Sequence, residues 1–265
     1  MTTPNINPEH EKQAFDTHYN YAECLSTLTN KASISFTPTL GKVDLPFLKT
    51  KDNLIGLTAK SLRDEFDIVQ IDQDYSYAST SWLPIKGYYL LFNVLLTIDY
   101  ILTAQKKSFS MSHTKCVQKF TRMLKNGEIL FTNPLLNTVF DGAIFNLREV
   151  VGANLSTRIA SNRMFPMAIR KVSIYKKDEW KRRNGINLRM ITGKVKHNEY
   201  IRNFNISVFE FPYYMRIRSN YRDFAFIEGV SSSDTKVYFD TYFSFIMNLF
   251  ITLEKFKNDL VKMRS

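Results

Sequence analysis

Cysteine and histidine are scarce in this sequence. The chain has 2 cysteines, Cys24 and Cys116, and 4 histidines among 265 residues. So few cysteines exclude a disulfide-built scaffold and a zinc site made of cysteines alone. Four histidines likewise exclude a histidine-rich metal centre. We therefore expect neither a metal ion nor another cofactor.

Glycine is also scarce, and the motifs built on it are missing. The 9 glycines are less than half the usual share of roughly 7%. The sequence has no G-x-G-x-x-G loop, no Walker A motif and no G-x-S-x-G motif. Such motifs hold phosphates or present a catalytic serine. We therefore expect neither a glycine-rich phosphate-binding loop nor the tight turn that presents the catalytic serine of a hydrolase.

Long hydrophobic runs are missing as well. The most apolar stretch, residues 88–104, has 17 residues and contains Asn93, Thr97 and Asp99. A membrane-spanning helix needs about 20 apolar residues, so this stretch predicts a buried helix of a soluble protein. The first 12 residues lack the basic head and apolar core of a signal peptide. We expect a cytoplasmic protein that does not contact a membrane.

Apolar side chains and positive charge are plentiful. Apolar residues make up 44% of the chain, which is enough for a sizeable core, and the net charge is +11. Residues 1–147 contain 14 acidic and 14 basic residues, whereas residues 148–222 contain 17 Lys/Arg against 5 Asp/Glu. One segment therefore carries the whole positive excess.

The densest part of that basic segment mixes cations with aromatic rings. Lysine and arginine bind phosphates and aromatic rings stack on bases, so this pattern predicts binding to DNA or RNA. A solvated basic surface and a surface for an acidic protein partner remain as alternatives. The candidate nucleic-acid-binding residues are Lys176, Lys177, Trp180, Lys181, Arg182, Arg183, Arg189, Lys194 and Lys196.

Hydrophobic periodicity predicts five helices. Ser79 or Ser81 is placed to cap the central one, with Pro84 in its first turn, and Ser112 is placed to cap the next. The predicted helices are Pro8–Ala32, Leu57–Phe66, Ser79–Gln105, a helix from Ser112 to about Leu124, and a long C-terminal helix capped by Ser232 or Ser233. The last has one apolar stripe for the core: Tyr238, Tyr242, Phe245, Ile246, Leu249, Leu253, Phe256 and Leu260.

Alternating apolar segments predict strands between these helices. Residues 33–50 predict short strands or loop. Residues 127–208 are expected to be mixed α/β, because four segments there are typical of strands: Glu128–Thr132, Lys171–Tyr175, Leu188–Thr192 and Ile206–Phe211.

Two segments contain tyrosine, histidine and arginine at distinctive spacings. The first runs from Lys86 through Tyr88-Tyr89 to Asn93 and continues, after a basic loop, at Ser112-His113; the second runs from Arg216 to Phe224. Together they resemble the HEPN superfamily (higher eukaryotes and prokaryotes nucleotide-binding), in its small bacterial branch associated with minimal nucleotidyltransferases. The first segment is similar to the branch's Tyr-Tyr-x-x-Phe-His helix and the Ser/Thr-His helix start, with Asn93 in place of the histidine.

The second segment, Arg216 to Phe224, is similar to the branch's Arg-x-x-x-Asp-Tyr motif before a final helix. Arg216 and Tyr221 match in spacing, and Asn220 stands in place of the Asp. The resemblance covers about 79–125 and 209–262. It implies a mostly α fold, an up-and-down helical bundle with a mixed α/β basic insertion. The implied units are an N-terminal helix and elaboration (1–75), bundle helices (76–126), the insertion (127–208) and final bundle helices (209–265).

The resemblance supports RNA cleavage less directly. HEPN ribonucleases use an arginine and a histidine separated by four to six residues, and no such pair occurs here; Arg189 and His197 come closest, with 7 residues between them. The candidate catalytic residues are Arg216 as a phosphate clamp, Tyr221 as a proton donor and His113 as a base, if His113 faces Arg216 across the bundle.

These residues also have structural interpretations. A family-like polar cluster of Asn93, Asp99, Arg216 and Tyr221 is expected to satisfy its own hydrogen bonds. Arg216 is then a buried arginine paired with Asp99 or Asp223, and Tyr221 a core tyrosine. The sequence leaves both interpretations open.

The sequence therefore predicts a non-enzymatic nucleic-acid-binding component of a prokaryotic defence or toxin–antitoxin type system. The system-level label comes from the resemblance alone, as does the expectation of a homodimer or protein partner held through the bundle. The alternatives are an RNase toxin and a scaffold or antitoxin protein that binds an acidic partner.

Overall fold

In a computed structural model of the chain, the described residues are 34–35, 42–132, 136–137, 139, 172–202, 204–221 and 232–264. This part of the chain is mostly helical, as predicted. Its elements are β1 (Ile34–Ser35), α1 (Leu45–Ile71), α2 (Gln73–Thr103), a 3₁₀ helix (Lys106–Ser110), α3 (His113–Lys125), β2 (Leu130–Phe131), α4 (residues 172–183), α5 (Ile191–Arg202), α6 (Glu210–Tyr221) and α7 (Ser232–Lys262). The predicted helix Pro8–Ala32 lies outside the described residues.

The core is built around α2 and α7. Every residue of the apolar stripe predicted on the C-terminal helix is buried, which confirms that prediction. A Cβ atom at Gly87 of α2 would lie 3.0 Å from Ile246 Cγ1 of α7, so the absence of a side chain there lets the two helices approach closely.

Within the described part, α2 is also the one helix long and apolar enough to span a membrane. However, 78% of its most apolar window is buried inside the protein. Most of this window therefore packs against other parts of the protein.

Two aspartates define the long helices α1 and α2. The Asp44 carboxylate accepts a hydrogen bond from Phe47 N at 3.0 Å and so caps α1. Asp72 ends α1 with its own N–H, which donates to Ile68 O at 2.9 Å. Its carboxylate also starts α2 by accepting from Asp74 N at 3.0 Å and Tyr75 N at 3.2 Å. One residue therefore joins the two helices.

These caps correct two predicted boundaries. Helix α1 extends well beyond Leu57–Phe66 on both sides, and it includes residues 45–50, where strands or loop were expected. A short strand does form earlier in that segment, because Ile34–Ser35 pairs antiparallel with Leu130–Phe131. Helix α2 begins at Gln73 rather than at Ser79 or Ser81, so Pro84 lies inside the helix and not in its first turn. Helix α3 confirms its prediction: Ser112 Oγ accepts from Lys115 N at 3.4 Å.

Of the four strands predicted within residues 127–208, Glu128–Thr132 contains β2 and the other three are wrong. Residues 172–175 are in α4, residues 187–190 form a turn before α5, and Glu210 begins α6. Charged pairs three and four residues apart stabilise α4. Ahead of α6, Ser207 N donates to Glu210 Oε2 at 2.8 Å in a capping box, which favours a helix over a strand. The described part of the expected mixed α/β insertion is helical apart from β2.

Candidate functional site

Arg216 of α6 lies among three tyrosine rings. Its guanidinium carbon is 5.0 Å from the ring centroid of Tyr88, 5.7 Å from that of Tyr89 and 5.4 Å from that of Tyr213. We call these three residues the tyrosine cage. Arg216 Nη1 also donates to the Tyr89 hydroxyl at 3.3 Å. Ring faces carry partial negative charge, so the cage holds the guanidinium without neutralising it.

His113 adjoins the same cage. It is the first residue of α3, and its Nδ1 lies 3.0 Å from the Tyr88 hydroxyl. Partial burial and, next, the positive charge of Arg216 lower the pKa of His113. The imidazole is therefore neutral at neutral pH. The structure places His113 and Arg216 against one tyrosine, the arrangement that the catalytic hypothesis requires.

Arg216 keeps unused hydrogen-bonding capacity. Its Nε is buried and has no hydrogen-bond partner among the described residues, and none of their carboxylates forms an ion pair with it. A guanidinium has five N–H donors in a planar fork that fits the oxygens of a phosphate. The charge and the donor geometry of Arg216 therefore suit an anion.

The predicted polar cluster does not form as a unit. Asp99 is 2% exposed and pairs with Lys119 of α3, not with Arg216. Asp99 lies 11 residues after Tyr88 on the same helix, which is about 16 Å along its axis. Asn93 is half-buried between these two positions. The expected pairing of Arg216 with Asp99 is therefore wrong. The backbone of Tyr221 ends α6, whereas its side chain and Asp223 lie outside the described residues.

Lys176, predicted to bind nucleic acid, is a buried structural residue. It is 9% exposed, and its Nζ lies 3.1 Å from Glu210 Oε1 and also donates to the Asn205 carbonyl. Lys177 lies over the Phe204 ring, 5.0 Å from its centroid. Lys176 is therefore largely buried, and its ammonium is already paired with a carboxylate.

Three further predicted cations of α4 are partly neutralised by neighbours. Lys181 pairs with Asp178 at 2.9 Å. Arg182 and Arg183 both pair with Glu179, at 2.8 and 2.6 Å. The two arginine side chains nevertheless remain 60% and 51% exposed, and together they exceed the charge of the one carboxylate they share.

The remaining predicted cations belong to the loop after α4 and to α5. Arg189, Lys194 and Lys196 are exposed, and the structure shows no ion pair for them within its described part. They are the candidate residues whose charge is most available to a polyanion.

Trp180 is already stacked inside the protein. Its ring lies parallel to that of Tyr200 of α5, with centroids 4.2 Å apart and an interplanar angle of 6°. One face of the indole is therefore occupied, and only the other can meet a base.

Tyr213 connects the two predicted sites. Its ring belongs to the tyrosine cage, and its hydroxyl lies 3.0 Å from Thr114 Oγ1 and close to the Arg183 guanidinium. The basic helix α4 therefore adjoins the Arg216 site through Tyr213. The sequence gives no sign of this contact, because Arg183 and Tyr213 are 30 residues apart.

Sequence reasoning also passed over Glu210. Its carboxylate is 1% exposed, and it accepts from Ser207 N and Ser207 Oγ at 2.8 Å and from Thr121 Oγ1 at 2.9 Å. The Ser-x-x-Glu spacing of Ser207 and Glu210 was the available signal. Glu210 fixes α6 against α3 and α4, and thereby positions Tyr213 and Arg216.

No protein-family model, curated protein or solved structure matches this chain. Within the residues that the structure describes, no group of three His, Cys, Asp or Glu side chains is placed to hold a metal ion.

Proposed function

We propose that this protein binds nucleic acid across one surface that runs from the exposed cations of α4 and α5, past Tyr213, to Arg216. The position of Tyr213 carries this proposal, because its ring meets Arg216 and it lines one pocket together with Arg183. The proposal includes a HEPN-like fold and a cytoplasmic role as a non-enzymatic component of a prokaryotic defence or toxin–antitoxin type system. That part is supported by the sequence resemblance and by the helical architecture.

The charges along this surface suit a phosphate backbone. Arg189, Lys194 and Lys196 supply exposed charge, and Arg216 supplies a fixed guanidinium fork. Lysines attract phosphates as point charges, whereas an arginine held by surrounding rings can bind one phosphate through two parallel hydrogen bonds. The surface therefore combines general attraction with one positioned contact.

The test is fluorescence anisotropy of a labelled single-stranded RNA and of a DNA duplex at several salt concentrations. For single strands, log affinity falls with log salt by about 0.7 per phosphate contact. The double variant Lys194→Gln/Lys196→Gln should flatten this slope by about 1.4. The double variant Lys49→Gln/Lys60→Gln is the matched control, because it makes the same charge change at exposed positions of α1.

Arg216→Gln should weaken binding about tenfold or more, since hydrogen bonds to charged groups contribute roughly 1.5–3 kcal/mol. The proposal fails if neither nucleic acid binds at low salt. It also fails if the α1 control flattens the salt slope as much as the α5 variant does.

A second candidate function, RNA cleavage, is favoured by the two contacts of Tyr88. Its ring meets Arg216 and its hydroxyl meets His113. Neutral His113 can accept the proton of a 2′-hydroxyl, whose oxygen then bonds to phosphorus while Arg216 stabilises the charged phosphate of the transition state. The P–O5′ bond breaks, and the leaving 5′-oxygen takes a proton from Tyr221 in the role that the sequence predicts for it. This role requires the tautomer in which Nδ1–H donates to the Tyr88 oxygen, because Nε2 then has the lone pair.

Expression in cells separates the two functions. An RNase should arrest growth, and both Arg216→Ala and His113→Gln should abolish the arrest. A binding protein should leave growth unaffected and purify with bound nucleic acid. Growth arrest that persists in Arg216→Ala excludes the cleavage mechanism described here.

A further inference from the structure

A half-open pocket of about 90 Å³ lies beside the tyrosine cage, between α3, α4, α5 and α6. Its walls include four aromatic rings, those of Trp180, Tyr200, Tyr213 and Tyr214. We propose that this pocket holds one unpaired nucleobase, so that the ligand of the protein is single-stranded nucleic acid. This inference rests on the proposed function and adds to it the class of strand and the position of a base.

The aromatic walls suit a flat, uncharged ring. The parallel stack of Trp180 on Tyr200 forms a rigid side of the pocket. Burial raises the pKa of Tyr200 and of Tyr214, so their hydroxyls stay protonated. A protonated hydroxyl can both donate and accept hydrogen bonds, as the edges of bases require. Aromatic stacking of this kind accepts any base.

The charges around the pocket favour a base over a phosphate. Two carboxylates line it, and both already have cationic partners: Glu179 pairs with Arg183, and Glu210 pairs with Lys176. The two cations of the lining, Lys176 and Arg183, only balance these two carboxylates, so the pocket has no net positive charge for a phosphate. Arg216, which lacks a carboxylate partner in the described part of the chain, lies just outside it.

The spacing along α6 places a phosphate site next to the base pocket. Tyr213 belongs to both, and Arg216 follows three residues later, so the two are neighbours on one helix face. A strand can then set a phosphate against Arg216 and turn the adjoining base into the pocket. A base in a duplex can do so only by leaving its stack and its pairing, which costs free energy.

The fluorescence of Trp180 tests this directly. The chain has 2 tryptophans, and Trp82→Phe leaves Trp180 as the only one. This variant is titrated with a single-stranded RNA, with the same RNA as a duplex, and with nucleoside monophosphates. We expect the single strand to quench Trp180 and the duplex to leave it unchanged at equal salt.

A blocking substitution tests the location. Gln118 is an exposed residue of α3 that lines the pocket, and Gln118→Phe fills space without removing a core contact or a charge. It should weaken single-strand binding about tenfold and abolish the quenching. Asn258→Phe makes a matched change at an exposed position of α7 and should do neither. Circular dichroism checks that both variants are folded.

Each outcome separates this inference from the proposed function. Salt-dependent binding with no Trp180 quenching and no effect of Gln118→Phe overturns the base pocket and keeps the nucleic-acid surface. Equal affinity for the single strand and the duplex also overturns the base pocket. Quenching by nucleoside monophosphates alone, sensitive to Gln118→Phe and without binding of any strand, supports the base pocket and overturns the proposed nucleic-acid function.

Discussion

Removal of the buried ammonium of Lys176 should destabilise the protein strongly without changing its affinity for a polyanion. Lys176→Met keeps the length and apolar character of the side chain but leaves Glu210 without its cation. Glu210 is 1% exposed, and Lys176 Nζ lies 3.1 Å from its Oε1. Breaking a buried ion pair by removing one partner costs about 3–5 kcal/mol. A typical domain has only about 5–15 kcal/mol of stability in total.

Urea unfolding followed by circular dichroism measures this loss, with an unchanged m-value as the sign that the unfolded state is the same. Lys194→Met is the matched control, because Lys194 is exposed and makes no ion pair with any described residue. It should change the free energy of unfolding by less than about 0.5 kcal/mol. It should, however, lower the salt dependence of nucleic-acid binding, which Lys176→Met should not.

The partner substitution tests the cause. Glu210→Gln removes the unpaired charge but keeps an oxygen that can accept from Ser207 N. The double variant Lys176→Met/Glu210→Gln should therefore lose less stability than the two single variants together. A loss below about 1 kcal/mol for Lys176→Met, or strict additivity in the double variant, refutes the reasoning.

Three further outcomes follow from the contacts described above. Gly87→Val should lower the midpoint of thermal unfolding, with a cost of at least about 1–3 kcal/mol, because its side chain meets Ile246, whose Cγ1 would lie only 3.0 Å from a Cβ at this position. Asp72→Ala should cost about 1 kcal/mol in urea unfolding, since it removes the cap that starts α2. The pKa of His113 is lower in the folded protein than its ordinary value of 6.5, so its contribution to stability is present above pH 6.5 and is lost as the pH falls from there through the folded pKa. Urea midpoints at pH 7.5 and 5.5 should show this loss, and Arg216→Gln should reduce it; an equal loss in Arg216→Gln contradicts the role of its charge.

The sequence predicts the central helices well because their signals are local and strong. The apolar stripe of α7 repeats at helical period over its whole length. Ser112 directly precedes the first residue of α3 and accepts from Lys115 N, as an N-cap serine does. The start of α2 is harder to predict, because Asp72 is one of several acidic residues and only the structure shows which one meets the N–H groups.

Three of the strand predictions in residues 127–208 fail for a different reason. Short apolar runs such as residues 171–175 fit a strand and a helix equally well, and the charge spacing in the next turns decides between them. Asp178 and Glu179 precede cations by three and four residues, which supports a helix. Before α6, the capping box of Ser207 and Glu210 has the same effect.

The candidate site is predictable in its members but not in its arrangement. Arg216 and His113 are visible as candidates in the sequence, and the structure brings both to Tyr88. Which cations are exposed and which are buried depends on contacts between distant segments. Lys176 and Lys196 look alike in the sequence, yet one is inside the core and the other is in solvent.

The shared contact with Tyr88 couples charge at Arg216 to protonation at His113. The positive field of Arg216 helps to hold the pKa of His113 down. An anion bound to Arg216 cancels part of that field, so the pKa rises and the complex takes up a fraction of a proton. By thermodynamic reciprocity, the anion must then bind more tightly as the pH falls through this range. Binding heats measured in buffers with different ionisation enthalpies report that proton.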